Sequence, residues 1–293
     1  MREVLKSVKL FLLTVLNGLT LGALYFLVAS GFSLVFGLMR NVNLAHGSLY
    51  LLGGYIGFDV AESTGSWTLG VAAGFASMAI LGVVLQVLIF RRMQGEDLRQ
   101  TLVSIGISII LADFMLWIWG GDSYQFIIPD ALFGAVTIPL LGLKYPAYKL
   151  FVLLSAVVIG IGLWLFLNRT RIGMMIRAGV DDRGMLQASG INVNLVFAIT
   201  FALGAGLAGL AGVIGGSALS LAPGEDLRYL LASLIVVIVG GMGSVTGAAI
   251  GAALIGLADQ FGLTYSPTYG VIYTFLVMVI VLAVRPTGIM GRK

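Results

Sequence analysis

Three stretches of this 293-residue chain carry no charged residue at all: 10–39, 184–224 and 229–258, which are 30, 41 and 30 residues long. Each exceeds the roughly 20 apolar residues that cross a bilayer core. Hydrophobic residues make up 59% of the chain and charged residues 10%, against about 45–50% and about 25% in soluble domains. That leaves too little polar surface to clothe a water-soluble body. The sequence therefore describes an all-α polytopic membrane helix bundle in which residues 1–293 form a single transmembrane domain. A soluble enzyme, a nucleic-acid binder and a disordered protein are excluded.

Charged or turn-rich breaks divide the chain into apolar segments at about 10–39, 43–61, 68–90, 100–119, 149–167, 193–221, 228–243, 245–262 and 267–284. Eight to nine of these are expected to span, some as broken helices. The two segments that meet at Gly240-Gly241-Met242-Gly243 are short and can form one re-entrant unit. The first segment, at about 45 Å if fully helical, outruns a roughly 30 Å hydrocarbon layer. It must tilt strongly or break near Gly31 or Gly37. It also far exceeds the 7–15 apolar residues of a signal peptide, so it reads as a retained span.

Lys and Arg accumulate in cytoplasmic loops. Arg40, then Arg91, Arg92 and Arg99, then Arg169, Arg171, Arg177 and Arg183, then Arg285, Arg292 and Lys293 account for eleven of the 17 basic residues. With nine spans all four groups fall on one side, and the C-terminus is cytoplasmic. That arrangement places Arg2, Lys6 and Lys9 outside, unless an interfacial helix or a fold-back of the first segment relieves the conflict.

Glycine recurs at four-residue spacing in Gly243/Gly247/Gly251, Gly18/Gly22, Gly70/Gly74 and Gly212/Gly216. Such faces let helix backbones approach closely. With no cysteine and one histidine, thiol chemistry and a His-ligated metal cluster are both out of reach. No cofactor is expected in this chain.

Polar groups inside apolar segments are the candidates for function, because an intramembrane charge is costly and by default marks a cavity, a path or a partner. Asp113 interrupts a run otherwise uncharged from 100 to 121. Asp259, Asn17 and Tyr25 are further candidates for a translocation path. So is His46, at the broken backbone after Arg40, where irregular chain must be buried or line a cavity. Each also has a purely structural reading as a satisfied helix contact. Glu225 and Asp226 start a helix that their charge favours, and they are candidates for docking an external soluble protein.

The loop from Asn168 to Asn192 mixes charges, among them Arg177, Asp181, Asp182 and Arg183, with apolar side chains such as Met185. Asp181 and Asp182 can cap a short helix starting near Arg183. An amphipathic helix of this kind suits docking into a partner's groove, or it lies on the membrane surface. No Gly-x-x-x-x-Gly-Lys-Ser/Thr occurs, so any ATP use is expected from a separate chain. No filter-like segment or basic voltage-sensor helix appears, which weakens a channel reading.

Several motifs together resemble one family, the permease subunits of branched-chain amino-acid ABC importers. They are Gly18 to Tyr25 (Gly-Leu-Thr-Leu-Gly-Ala-Leu-Tyr), Gly31 to Gly37, Asn43 to Tyr55, Thr170 to Ala178, Ala188 to Val193, Ala208 to Gly212, Gly240 to Ala252 and Arg285 to Gly291. The resemblance covers nearly the whole chain. It implies a bacterial inner-membrane, multi-pass transport subunit in a complex with a second homologous permease, two ATPase subunits and a periplasmic solute-binding protein. It also makes Ile172 to Asn192 the segment that docks on an ATPase. Relatives of this family carry urea, short amides or aromatic acids. A reading from a different class is an ion-coupled secondary transporter or facilitator with Asp113 as its ion site, the breaks after Arg40 and at Gly240 being its paired broken helices.

Overall fold

A computed structural model of the chain describes residues 2–39, 42–138 and 143–291. Arg40, Arg292 and Lys293, and the side chains of Arg2, Lys6 and Arg183, lie outside the described residues. The helices are α1 (Arg2–Met39), α2 (His46–Thr64), α3 (Trp67–Leu88), α4 (Asp97–Trp119), α5 (Ala147–Arg169), α6 (Arg171–Asp181), α7 (Arg183–Ala188), α8 (Val193–Leu219), α9 (Glu225–Gly240), α10 (Val245–Tyr265) and α11 (Gly270–Val284). One antiparallel hairpin, β1 (Ala135–Ile138) with β2 (Leu143–Pro146), precedes α5. All nine apolar segments are helical. Six of the helices, α1, α3, α4, α5, α8 and α10, are long and apolar enough to cross a membrane. α9 and α11, with 16 and 15 residues, reach only about 24 and 22 Å.

α1 runs unbroken for 38 residues, so of the two alternatives, a strong tilt or a break near Gly31 or Gly37, the break is absent and the first segment does not fold back. Both glycines serve contact instead. A Cβ on Gly31 would lie 2.3 Å from the Gly204 carbonyl oxygen of α8, and one on Gly37 would lie 3.0 Å from Gly243 Cα. At about 57 Å, α1 is long enough for its first turns to stand beyond a roughly 30 Å hydrocarbon layer.

The bundle has two distinct ends. At the basic end, the close of α1 meets α6 and the Gly241–Ser244 turn, with Val180 and Gly243 beside Gly37. Phe90 packs against Phe201 in a tilted pair at a centroid distance of 5.3 Å, and Gln94 donates to Asn194 at 3.3 Å, which brings the α3–α4 connection to the start of α8. The C-terminal tail closes the same end. The N–H groups of Ile289 and Met290 each donate at 2.9 Å to the Val239 and Gly240 carbonyls, two of the acceptors that a helix C-terminus leaves orphaned. Gly241, at φ +104°, leaves no room beside Gly291 for a Cβ. Arg91, Arg92, Arg99, Arg169, Arg171, Arg177 and Arg285 therefore gather at one end, and α1 starts at the other, the hairpin end.

α1 and α8 form the buried spine, and glycine sets how close their neighbours come. Gly22 meets Ala252 and Gly256 of α10, Gly53 meets Gly209, and Gly74 and Gly82 of α3 meet the α8 backbone. Lipid supplies no hydrophobic drive between helices, so this dense van der Waals contact is what holds them. Gly31→Leu is expected to overpack the α1–α8 crossing and destabilise the bundle by at least 1–3 kcal/mol, roughly the range for overpacked cores. Gly106→Ala, at a position with nothing within 4 Å, should leave stability unchanged. Thermal unfolding of the two variants in detergent, compared with the parent chain, measures the difference.

Candidate functional site

Two helices start inside the bundle, and their starts touch. α2 runs back alongside α1, and His46 opens it at the level of Val28, about 16 Å from the basic end along α1. His46 is fully buried, and its Nε2 lies 3.1 Å from the Val28 carbonyl oxygen. A carbonyl only accepts, so Nε2 carries the hydrogen. Two backbone N–H groups of the irregular residues before it are satisfied locally: Asn43 Oδ1 accepts from the Ala45 N–H at 3.1 Å, and Ser104 Oγ accepts from the Leu44 N–H at 3.0 Å.

Gly47 then lets the first turn of α2 rest on that of α9, because a Cβ there would lie 2.1 Å from the Asp226 carbonyl oxygen. Ser48 bridges three helices. Its hydroxyl donates to Asp226 Oδ2 at 3.1 Å and lies 2.8 Å from Ser108 Oγ of α4. One hydroxyl hydrogen cannot serve both, so Ser108 is the donor in its pair. Asp226 is thus a buried carboxylate placed at two helix N-termini, where negative charge is stabilised. The expectation that Glu225 and Asp226 together dock an external protein is corrected by this geometry, since Asp226 faces inward and only Glu225 remains partly exposed.

Beside this junction lies a tyrosine cluster. The Tyr50 and Tyr229 rings are 4.3 Å apart, and Tyr25 meets Tyr229 edge-on at 6.5 Å. The Tyr25 hydroxyl donates to Asp259 Oδ2 at 2.6 Å, so two of the residues singled out in the sequence are direct partners. Arg228 pairs with Glu225 at 3.5 Å and directly precedes Tyr229 on α9. Tyr50, Tyr229 and Ser48 were not identified from the sequence. Arg228 had a signal, since it is the one basic residue between Arg183 and Arg285.

The other candidates do not join this group. Asn17 accepts from Lys149 Nζ at 2.8 Å and from the Tyr145 hydroxyl at 3.1 Å, which ties α1 to the hairpin and α5. Burial pushes the Tyr145 phenol above its usual range, partly opposed by its bond to Thr20, so it remains a neutral donor. Asp113 is exposed on the outer side of α4 and has no partner among the described residues. A groove of about 410 Å³ between α1, α5 and α10 is lined by residues such as Gly22, Phe26, Ala156, Gly160 and Trp164. It holds no charged group.

At the basic end, α6 is amphipathic. Ile176 is buried, and Gly179 packs on Leu38 and Leu186, while Met174 points outward. Thr170 caps α6 by accepting from the Gly173 N–H at 3.0 Å. Asp182 caps α7 by accepting from the Met185 N–H at 3.0 Å, as its place in the sequence predicts, while Asp181 closes α6. Arg177 donates to Asn168 Oδ1 at 2.7 Å. Asp181 and Asp182 are exposed beside Met185, which is 71% exposed, and together they form a projecting tip.

A bundle of long apolar helices with two interior helix starts and a projecting amphipathic loop has the architecture of a membrane permease. The comparisons with known proteins place it more closely. The family model described as "Branched-chain amino acid transport system / permease component" matches residues 14–282, and the chain belongs to this family. It is 33% identical over 96% of both chains to the high-affinity branched-chain amino acid transport system permease protein BraD of Pseudomonas aeruginosa. It is 30% identical, again over 96% of both, to LivH of Escherichia coli, which carries the same description. A more distant relative is the ribose import permease protein RbsC of Escherichia coli, 28% identical over 80% of this chain and 73% of that protein. No solved structure matches the chain. These relatives are transport permeases and not enzymes, and they favour the importer reading over an ion-coupled carrier built on Asp113.

Replacing Asp181, Asp182 and Arg183 together with Ala removes the α7 cap, which is worth about 0.5–2 kcal/mol, and strips the tip of charge. The expected outcome is ATP hydrolysis uncoupled from uptake, or loss of the ATPase, with unchanged protein in the membrane. Normal transport and assembly of the triple variant contradicts the assignment of the loop.

Proposed function

We propose that this chain is one membrane half of an ATP-driven importer for branched-chain amino acids. It works with a second homologous permease, two ATPase subunits on the cytoplasmic side and a periplasmic solute-binding protein. The observation that carries the reading is the family match over residues 14–282, combined with the projecting α6–α7 tip. In this reading the basic end, with the C-terminus, faces the cytoplasm of a bacterial inner membrane, in line with the enrichment of Arg in cytoplasmic loops. The N-terminus and the hairpin face outward, and α2, α9 and α11 complete eight to nine crossings alongside the six long helices.

The tip is where ATP enters the mechanism. Arg177, Asp181, Asp182, Arg183 and Met185 form the docking element for an ATPase. Because Gly179 rests on Leu38 and Gly37 on the Gly243 turn, a push on α6 reaches both α1 and the α9–α10 corner. Rocking these elements against the second permease alternates access. Asp113, a carboxylate with no partner among the described residues, faces the second permease, since lipid is a costly surrounding for a charge. The binding protein docks on the hairpin end, where Ile127 and Phe133 are 78% and 77% exposed.

Co-expression with neighbouring transport genes tests this directly. Two ATPases and another permease are expected to copurify with the chain, and leucine-loaded binding protein should stimulate ATP hydrolysis severalfold and drive uptake into proteoliposomes. A chain that purifies alone and moves solute without ATP overturns the reading. A complex stimulated only by urea, a short amide or an aromatic acid keeps the importer and corrects the substrate.

A further inference from the structure

The exposed side of α9 carries Leu227, Arg228 and Leu231, each of which leaves about half of its surface open. Depth can be counted along two independent helices. Arg228 lies about 18 Å from the basic end of α9, and Asp259 about 21 Å from the basic end of α10. The two charges therefore share one level, well inside a roughly 30 Å hydrocarbon layer. Glu225 is at the same level, paired to Arg228 at 3.5 Å, a distance longer than a good hydrogen bond, and the Arg228 side chain is 53% exposed. Three charges at this depth on a lipid-facing surface are untenable, since intramembrane charges face the bundle interior or a water-filled cavity.

We infer that this face of α9 and α10 is the wall of the aqueous path and forms a way-station for a zwitterionic amino acid. The inference rests on the importer reading and names the site within it. The arrangement matches the ligand group by group. Arg228 has guanidinium donors left free by its long contact with Glu225, and these take the α-carboxylate. Asp259, already oriented by the Tyr25 hydroxyl at 2.6 Å, takes the α-ammonium with its other oxygen. Leu227 and Leu231, 59% and 46% exposed, flank Arg228 along α9 and receive an apolar side chain. Behind them the packed Tyr50 and Tyr229 rings keep the wall rigid. A site that reads both charges and offers only aliphatic surface beyond them selects amino acids over amides and urea, which lack the charge pair.

The chain contains no cysteine, so single cysteines report water directly. In the assembled importer, Leu231→Cys is expected to react with a charged, membrane-impermeant thiol reagent at least tenfold faster than Ile80→Cys, which lies on the exposed side of α3. In the same complex, Arg228→Gln should lower leucine uptake at least tenfold while ATP hydrolysis stimulated by binding protein persists, and Arg228→Lys should recover part of the loss. Equal reactivity of the two cysteines overturns the placement of the path. A reactive Leu231→Cys together with full transport by Arg228→Gln overturns the amino-acid site. The labelling arm needs no transport, so it stands even if Arg228→Gln fails to assemble. If the unmodified importer takes up no leucine, it is the importer reading that fails.

Discussion

In lipid the helices of this protein have no hydrophobic reason to associate, and backbone contact at glycine takes over that role. Gly31 against Gly204, Gly22 against Ala252, Gly53 against Gly209 and Gly240 against Gly247 all bring main chains to distances that no Cβ would permit. Everything else depends on this close approach. The spine of α1 and α8 is held by it, and the turn at Gly241–Gly243 can fold only because both glycines adopt positive φ. The same tightness suits a machine that moves rigid bodies, since closely packed helices shift as units.

The second organising constraint is the cost of unpaired backbone and charge inside the bilayer. Two helices begin inside the bundle, and the chain satisfies them with a small set of polar groups. His46 secures the start of α2 to Val28, Asn43 and Ser104 take up the freed N–H groups ahead of it, and Asp226 supplies negative charge where the starts of α2 and α9 converge. Discontinuous helices of this kind are a familiar solution for transporters, which need polar groups at membrane depth without exposing them to lipid. The charged set of Glu225, Arg228 and Asp259 lies next to this junction.

Much of this was legible in the sequence, and the limits have physical causes. The long apolar runs marked nine of the eleven α-helices among the described residues, and the clustering of Arg marked a common end. Asp182 was readable as a cap because capping is local, involving a residue and an N–H three positions on. The uninterrupted course of α1 was not readable, because in a membrane helix glycine marks a contact as often as a break, and the contact partner on α8 is far away in the chain. The inward turn of Asp226 depends on Ser48, 178 residues distant, and the pairing of Tyr25 with Asp259 spans 234 residues. No local pattern carries such pairings. Asp113 is the reverse case, a residue whose oddness was plain in sequence and which has no partner among the described residues.

The α6–α7 tip, the close of α1 and the glycine corner that the C-terminal tail zips shut are packed together at the basic end. The account stands on that tip touching an ATPase. The most direct measurement places a photo-reactive amino acid at Met185, an apolar side chain of the tip that is 71% exposed, in the assembled complex in membranes. The account predicts a single dominant adduct to an ATPase subunit, with a yield that changes when ATP is bound. An adduct only to lipid or to the periplasmic protein would contradict it.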